Sequence, residues 1–161
     1  MRSKVTIAPM KTDEEMDGKG YVHWKSWQET YAGLMPQACL DKLSLEQTVS
    51  WAHSWPQNTL VLKKNDQVIG FSCFGESHDP DLGQAGEVIA LYLLRAFQGQ
   101  GLGLQLMKAT MAELADRPQV ILWVLKGNEK AIRFYRRYGF EFDGTERTKA
   151  HGTELRMRLR P

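Results

Sequence analysis

Short runs in which apolar and polar residues alternate mark strands along this chain, and apolar residues spaced by three and four mark helices between them. Residues 4 to 8 alternate as a first strand, closed by Pro9. Asp13 reads as the N-cap of a helix with Glu14 and Glu15 in its first turn. Gly18 and Gly20 weaken the start of that helix, and Val22, Trp24, Trp27 and Tyr31 strengthen its later part. Trp24 is expected to pack on a sheet. Trp27 and Tyr31 share one face, just before Gly33 and Pro36, and either pack on the sheet or line a pocket. Pro36 starts a short helix. Ser44, with Gln47 three residues on, forms a capping box for another that ends near Trp55-Pro56.

Residues 59 to 64 and 67 to 75 alternate as two strands joined by a tight hairpin turn at Asn65-Asp66. Gly70, inside the second strand, marks a bulge or a close backbone approach. Residues 76 to 86 are polar and turn-rich. An apolar strand follows at 87–94, then a glycine turn, then a helix with Leu104, Met107, Met111 and Leu114 on one face, ending near Arg117-Pro118. Residues 119 to 125 are apolar at nearly every position, as in a buried strand. Asn128 caps a last helix whose apolar face is Ala131, Phe134, Tyr135 and Tyr138, stopped by Gly139. Residues 140–147 and 153–160 form two final strands. This order predicts an α/β (α+β) chain: a mixed, mainly antiparallel sheet with helices on its faces, one domain over residues 1–161.

The stretch from Glu87 to Met107 carries the chemistry. Gly99, Gly101 and Gly103 alternate between strand and helix, a design that offers backbone N–H groups and a helix N-terminus to an anion. The dinucleotide fingerprint GxGxxG is absent, because positions 104 and 106 are leucine, and so is GxxxxGK[ST]. What remains is Q-x-x-G-x-G at Gln98, Gly101 and Gly103, compatible with a ligand loop or an empty tight turn.

Composition narrows the classes. A net charge of +2 implies no general nucleic-acid binding. No apolar run approaches the ~20 residues of a membrane helix. Cys39 and Cys73 stand apart and read as small core residues, which with no visible signal peptide suits a reducing cytoplasm. His78 beside Asp79 and Asp81 reads as a solvated turn rather than a metal site, so no metal is expected.

Residues 128 to 140, read as N-x-x-A-x-x-F-Y-x-x-x-G-F, resemble the last cofactor motif of the GNAT superfamily of N-acetyltransferases, and FQGQGLG resembles that superfamily's acyl-CoA pyrophosphate loop. Both stand in the expected order, and WKSWQETYAGLMP ahead of LDKLS is similar to a subgroup of small bacterial members. The resemblance implies acetyl-CoA as cosubstrate, in a V-shaped cleft between the strands at 87–94 and 119–125. It implies backbone contacts from Leu91, Tyr92 and Leu93 to the pantetheine arm. N–H groups of Gln98, Gly99, Gln100, Gly101, Leu102, Gly103 and Leu104 would face the pyrophosphate, with Asn128 and Ala131 beside the cofactor and Tyr135 near the sulfur. Tyr135 is then the acid for the departing thiolate. Glu87 stands where the histone-acetylating branch carries its base. By strand alternation it would share a face with Ile89, Leu91 and Leu93. Glu29 and Asp79 are weaker candidates, and an ordered water is the alternative to any single base.

The implied reaction is acetyl transfer to a primary amine by direct attack in a ternary complex, with Trp27, Tyr31 and Glu87 on the acceptor side. The acceptor is a small amine or polyamine-like molecule, met by Glu29, Asp41, Glu76, Asp79 and Asp81; alternatives are protein N-termini or lysines, or a non-catalytic acyl-CoA sensor. Lys126, Lys130, Arg133, Arg136 and Arg137 form a basic face from which one or two side chains would meet the 3′-phosphate. The chain departs from the pattern at Gln98 and Gly99, where many members carry arginine, and at Arg95, where relatives often place proline. Edge strands at the C-terminal end leave a homodimer open.

Overall fold

The computed structural model describes residues 4–160. Residues 1–3 and 161 of the expected domain lie outside them. Seven strands form one sheet: β1 (Val5–Pro9), β2 (Thr59–Lys64), β3 (Gln67–Glu76), β4 (Gly86–Leu93), β5 (Val120–Leu125), β6 (Glu141–Lys149) and β7 (Gly152–Leu159). The spatial order is β1-β2-β3-β4-β5-β7-β6, with β4–β5 the parallel pair and every other neighbour antiparallel. The helices are α1 (Asp13–Tyr31), α2 (Gln37–Lys42), α3 (Leu45–Ser54), α4 (Leu102–Glu113) and α5 (Glu129–Tyr138). Asn65 and Asp66 take positive φ in the β2–β3 hairpin, the twist that a two-residue turn needs.

The N-cap of α1 is Thr12, not Asp13: its hydroxyl accepts from Glu15 N while Glu15 accepts from the Thr12 backbone, closing a capping box. At α3 Ser44 caps Gln47 N. The glycines of α1 are packing devices. A Cβ at Gly18 would lie 2.8 Å from Val68 of β3, and one at Gly20 would lie 2.6 Å from the Val49 Cα of α3. Gly70 combines both expectations: β3 carries an extra residue at Ile69, and a Cβ at Gly70 would meet the Tyr92 carbonyl at 2.9 Å.

Neighbouring residues of β3 show which helix covers which face. Ser72 bonds Thr110 of α4 at 2.6 Å, while Phe71 packs on His23 of α1. Thus α1, with α3 beside it, lies over one face of β1–β4, and α4 over the other. On the α4 side, Val88, Leu122, Val124 and Ile132 of α5 share a core with Phe140 and Met157. Trp24 does not reach the sheet core; it meets Tyr21, with ring centroids 6.3 Å apart. Cys73 and Cys39 pack beside the cores of β2–β3 and of α2 respectively.

Candidate active site

β4 and β5 pair only from Gly86–Val88 to Val120–Leu122, and then part. The separation starts where β4 takes an extra residue: Val88 pairs with Phe74 and Ala90 with Cys73, so Ile89 forms a bulge that bends the strand. Leu94 donates to Ile69 O at 2.9 Å across the β3–β4 ladder. At the two-residue alternation of that ladder, the backbone N–H groups of Leu91 and Leu93 point into the gap. The Tyr92 backbone is spent on β3, so of the three expected backbone contacts only two face the gap, and Tyr92 contributes its side chain. The Leu93 carbonyl accepts from Gln98 Nε2 at 2.9 Å.

The glycine turn opens the mouth of the gap. Gly99 and Gly101 have φ of 81° and 79°, a region that glycine enters freely, and nothing lies within 4 Å of a Cβ built on either. Gly101 is the N-cap of α4 and supplies no side-chain cap, so the N–H groups of Leu102, Gly103 and Leu104 are without intrahelical partners. An anion fits there on the positive end of the helix. Gly103 lies against Phe134 of α5, at 3.7 Å from a Cβ built there. Gln100 is exposed at the tip. The missing loop arginine has a substitute, since Lys130 of α5 donates to Gln98 Oε1 and puts a cation beside the turn. Asn128, nearly buried, caps α5 through Ala131 N at 3.4 Å.

Three tyrosines meet at the gap. The Tyr31 and Tyr92 hydroxyls lie 2.8 Å apart, and Trp27 packs edge-on to Tyr31 with centroids 5.3 Å apart. Trp27 and Tyr31 also pack on Met35, Leu40 and Leu125. Tyr31 therefore links α1, β4 and the end of β5. Tyr135 comes from the α5 side, against Phe134 and Phe140. Burial first, and then the neighbouring Tyr31, push its phenol well above the ordinary value. Burial raises Tyr31 and Tyr92 as well. All three hold their protons at neutral pH and are hydrogen-bond donors.

Glu87 lies on the α1 side, but not in the company expected. It pairs with Gly75, whereas Ala90 pairs with Cys73 and Tyr92 with Phe71. The extra residue at Ile89 switches the alternation, so Glu87 shares its face with Ala90 and Tyr92, while Leu91 and Leu93 face α4. Burial raises its carboxyl, reinforced by Asp79 and Glu154 and opposed by Arg147 and His78. A carboxyl shifted this way is a better proton acceptor than an exposed one.

Most of the carboxylates expected to greet a cation are already engaged. Glu29 accepts from Arg95 N at 3.0 Å, and the Arg95 guanidinium reaches the Glu29 carbonyl. A proline at position 95 has no N–H for that bond, so arginine there joins α1 to the end of β4. Glu76 pairs with Arg117 at 2.7 Å, and Gln37 donates to Asp41 at 2.9 Å. Asp79 and Asp81 do not form a solvated turn: both bind Arg156, at 3.0 and 2.6 Å. Among the described residues no group of three His, Cys, Asp or Glu is placed to hold a metal.

The Acetyltransferase (GNAT) family model matches residues 23–140, well over half of the chain. The chain belongs to the GNAT family. It is similar to the uncharacterized N-acetyltransferase YuaI of Bacillus subtilis, 28% identical over 94% of this chain and 89% of that one. It also resembles the spermine/spermidine N(1)-acetyltransferase of Bacillus subtilis, 33% identical over 48% of this chain and 55% of the relative. In fold it matches the PaiA N-acetyltransferase of Thermoplasma acidophilum, solved in complex with coenzyme A. That match has a TM-score of 0.71 and 19% identity, and covers 98% and 99% of the two chains. As a GNAT protein the chain is an acetyl-CoA-dependent N-acetyltransferase.

Two features of this GNAT site escape sequence reasoning. His23 is half-buried among Trp27, Trp51, Phe71 and Tyr92, stacked on Tyr92 at 15°. Burial and Lys19 lower its imidazole to about 4, and its Nδ1 has no partner among the described residues. Its i,i+4 spacing to Trp27 was the available signal. The other is Arg156, which alternation places on the polar side of β7 and which is instead almost fully buried.

Proposed function

We propose that this enzyme transfers the acetyl group of acetyl-CoA to a primary amine, a small or polyamine-like one, within a ternary complex. The observation that carries the reading is the parting of β4 and β5 after Val88, which leaves the Leu91 and Leu93 N–H groups in a gap whose mouth is the uncapped N-terminus of α4. Those two N–H groups hold the thioester arm, and one is available to the oxygen that gains charge when the amine attacks. The N–H groups from Gln98 to Leu104, with Lys130 beside them, take the pyrophosphate. Asn128 and Ala131 lie next to the arm as the start of α5.

The acceptor side is the α1 face of the gap, walled by Trp27, Tyr31 and Tyr92 and floored by Glu87. An alkylamine is protonated near ~10.4 in water and must lose that proton to attack. Glu87, raised by its burial, receives it directly or through a water. The nitrogen lone pair forms the amide bond as the carbon–sulfur bond breaks. Tyr135 then stabilises the leaving thiolate. Burial keeps its phenol protonated as a hydrogen-bond donor, and as that proton passes to the sulfur the amide nitrogen gives its second proton back to the phenol oxygen, leaving neutral amide, neutral thiol and Tyr135 restored. The likeness to a spermine/spermidine acetyltransferase supports a polyamine-like acceptor.

The test is a panel of polyamines, monoamines and N-terminal peptides with acetyl-CoA, read by mass spectrometry. Acetylation of small amines ahead of peptides is expected, and Tyr135→Phe should lower kcat at least tenfold with the KM for acetyl-CoA nearly unchanged. Preference for peptides overturns the acceptor class, and an unchanged kcat removes Tyr135 from the mechanism.

A further inference from the structure

The α1 side of β5, β7 and β6 is covered differently from the rest of that face. Trp123, Glu154 and Arg156 point to it, with Trp123 paired to Arg156 and Arg147 to Glu154. The segment between β3 and β4 crosses this surface and is tied down by one side chain. Arg156 Nη1 donates to Asp79 at 3.0 Å and to Asp81 at 2.8 Å, and Nη2 donates to the second Asp81 oxygen at 2.6 Å. Its Nε donates to Asp143 at 2.6 Å, and Thr145 accepts from Nη2 at 3.1 Å. β6 loses its regular register between Phe142 and Glu146, which turns Asp143 and Thr145 toward the guanidinium. The planar fork makes five bonds to three carboxylates and a hydroxyl, more than the three N–H groups of a lysine can supply. Arg156 is left only 2% exposed.

We infer that Arg156 is a positioning residue for the acceptor site: by gathering Asp79 and Asp81 against Asp143 it holds the β3–β4 segment as the wall of the pocket above Glu87. This rests on the proposed acceptor face. Asp79 acts electrostatically on Glu87, as do His78 of the same segment, Arg147 of β6 and Glu154 of β7. The cluster brings three aspartates to Arg156, with Arg158 bound to one of them at 3.0 Å, and so carries one negative charge in excess. A wall of that sign favours a cationic amine at the entrance. Released from the clamp, the segment lifts, admits water to Glu87 and carries the Asp79 charge away.

The experiment compares wild type with the double variant Asp79→Asn, Asp81→Asn and with Arg156→Lys, using the amine that the panel identifies. In both variants the amine KM should rise fivefold or more while the KM for acetyl-CoA stays within twofold. The acid limb of kcat/KM for the amine should move to lower pH, because Glu87 loses its burial and the Asp79 charge and keeps only Glu154 to raise it. Unchanged amine KM and acid limb in the folded variants overturn the inference while the acetyltransfer reading stands. Absence of turnover by wild type with every amine overturns both. If Arg156→Lys does not fold, the double variant decides, since it cuts both ties of the segment and leaves Asp143 and Thr145 on the arginine.

Discussion

His23 shows how one half-buried side chain shapes the chain's response to acid. Its imidazole, surrounded by aromatic rings and near Lys19, is lowered to about 4. The unfolded chain binds the same proton near ~6.5. Between those values the unfolded state carries more protons, so stability is intact above about 6.5 and drains as the pH falls to about 4. The loss amounts to up to ~3 kcal/mol. Glu15 acts in a lower window: the hydrogen bond from Lys63 lowers it to about 2, so its contribution is lost only below the ordinary carboxylate range. Urea unfolding of wild type at pH 7, 6, 5 and 4 should show the decline, and His23→Phe should flatten it. An equally steep decline in the variant would assign the acid sensitivity elsewhere.

Elements were more legible in the sequence than their registers. Alternation marked the strands, and the glycine turn and Asn128 stood out because a positive φ and a helix cap demand particular residue types. The bulge at Ile89 has no such mark: isoleucine is an ordinary strand residue, and the extra position shows only against β3. That hidden insertion reversed the expected company of Glu87. The Arg156 cluster was invisible for a different reason, because its partners Asp79 and Asp81 lie more than seventy residues away in the chain. Gly18 and Gly20 read as weak points of α1, since propensity sees the helix alone and not the strand and helix against it. Gly20→Ala should therefore destabilise the protein despite the better helix former. A methyl 2.6 Å from the Val49 Cα must displace backbone. The cost is about 1–3 kcal/mol, or a fall in Tm of about 3–10 °C. A rise in Tm would show that α1 and α3 separate at no cost.

At the scale of the molecule, the sheet is joined continuously at its two ends and loosely at its centre. β1 to β4 form one antiparallel block and β5, β7 and β6 another, and β4–β5 connects them through three residue pairs. Tyr31, Tyr92 and Tyr135 lie around the place where those blocks part, and the α4 N-terminus opens beside it. The proposed reaction thus requires coenzyme A to fill the opening in the sheet. Amide hydrogen exchange with and without coenzyme A tests this directly. Exchange should slow at Leu91, Leu93 and Leu102 to Leu104, with little change along β1 and β2. Saturating coenzyme A that leaves those five amides unprotected, or protects a different surface, would contradict it.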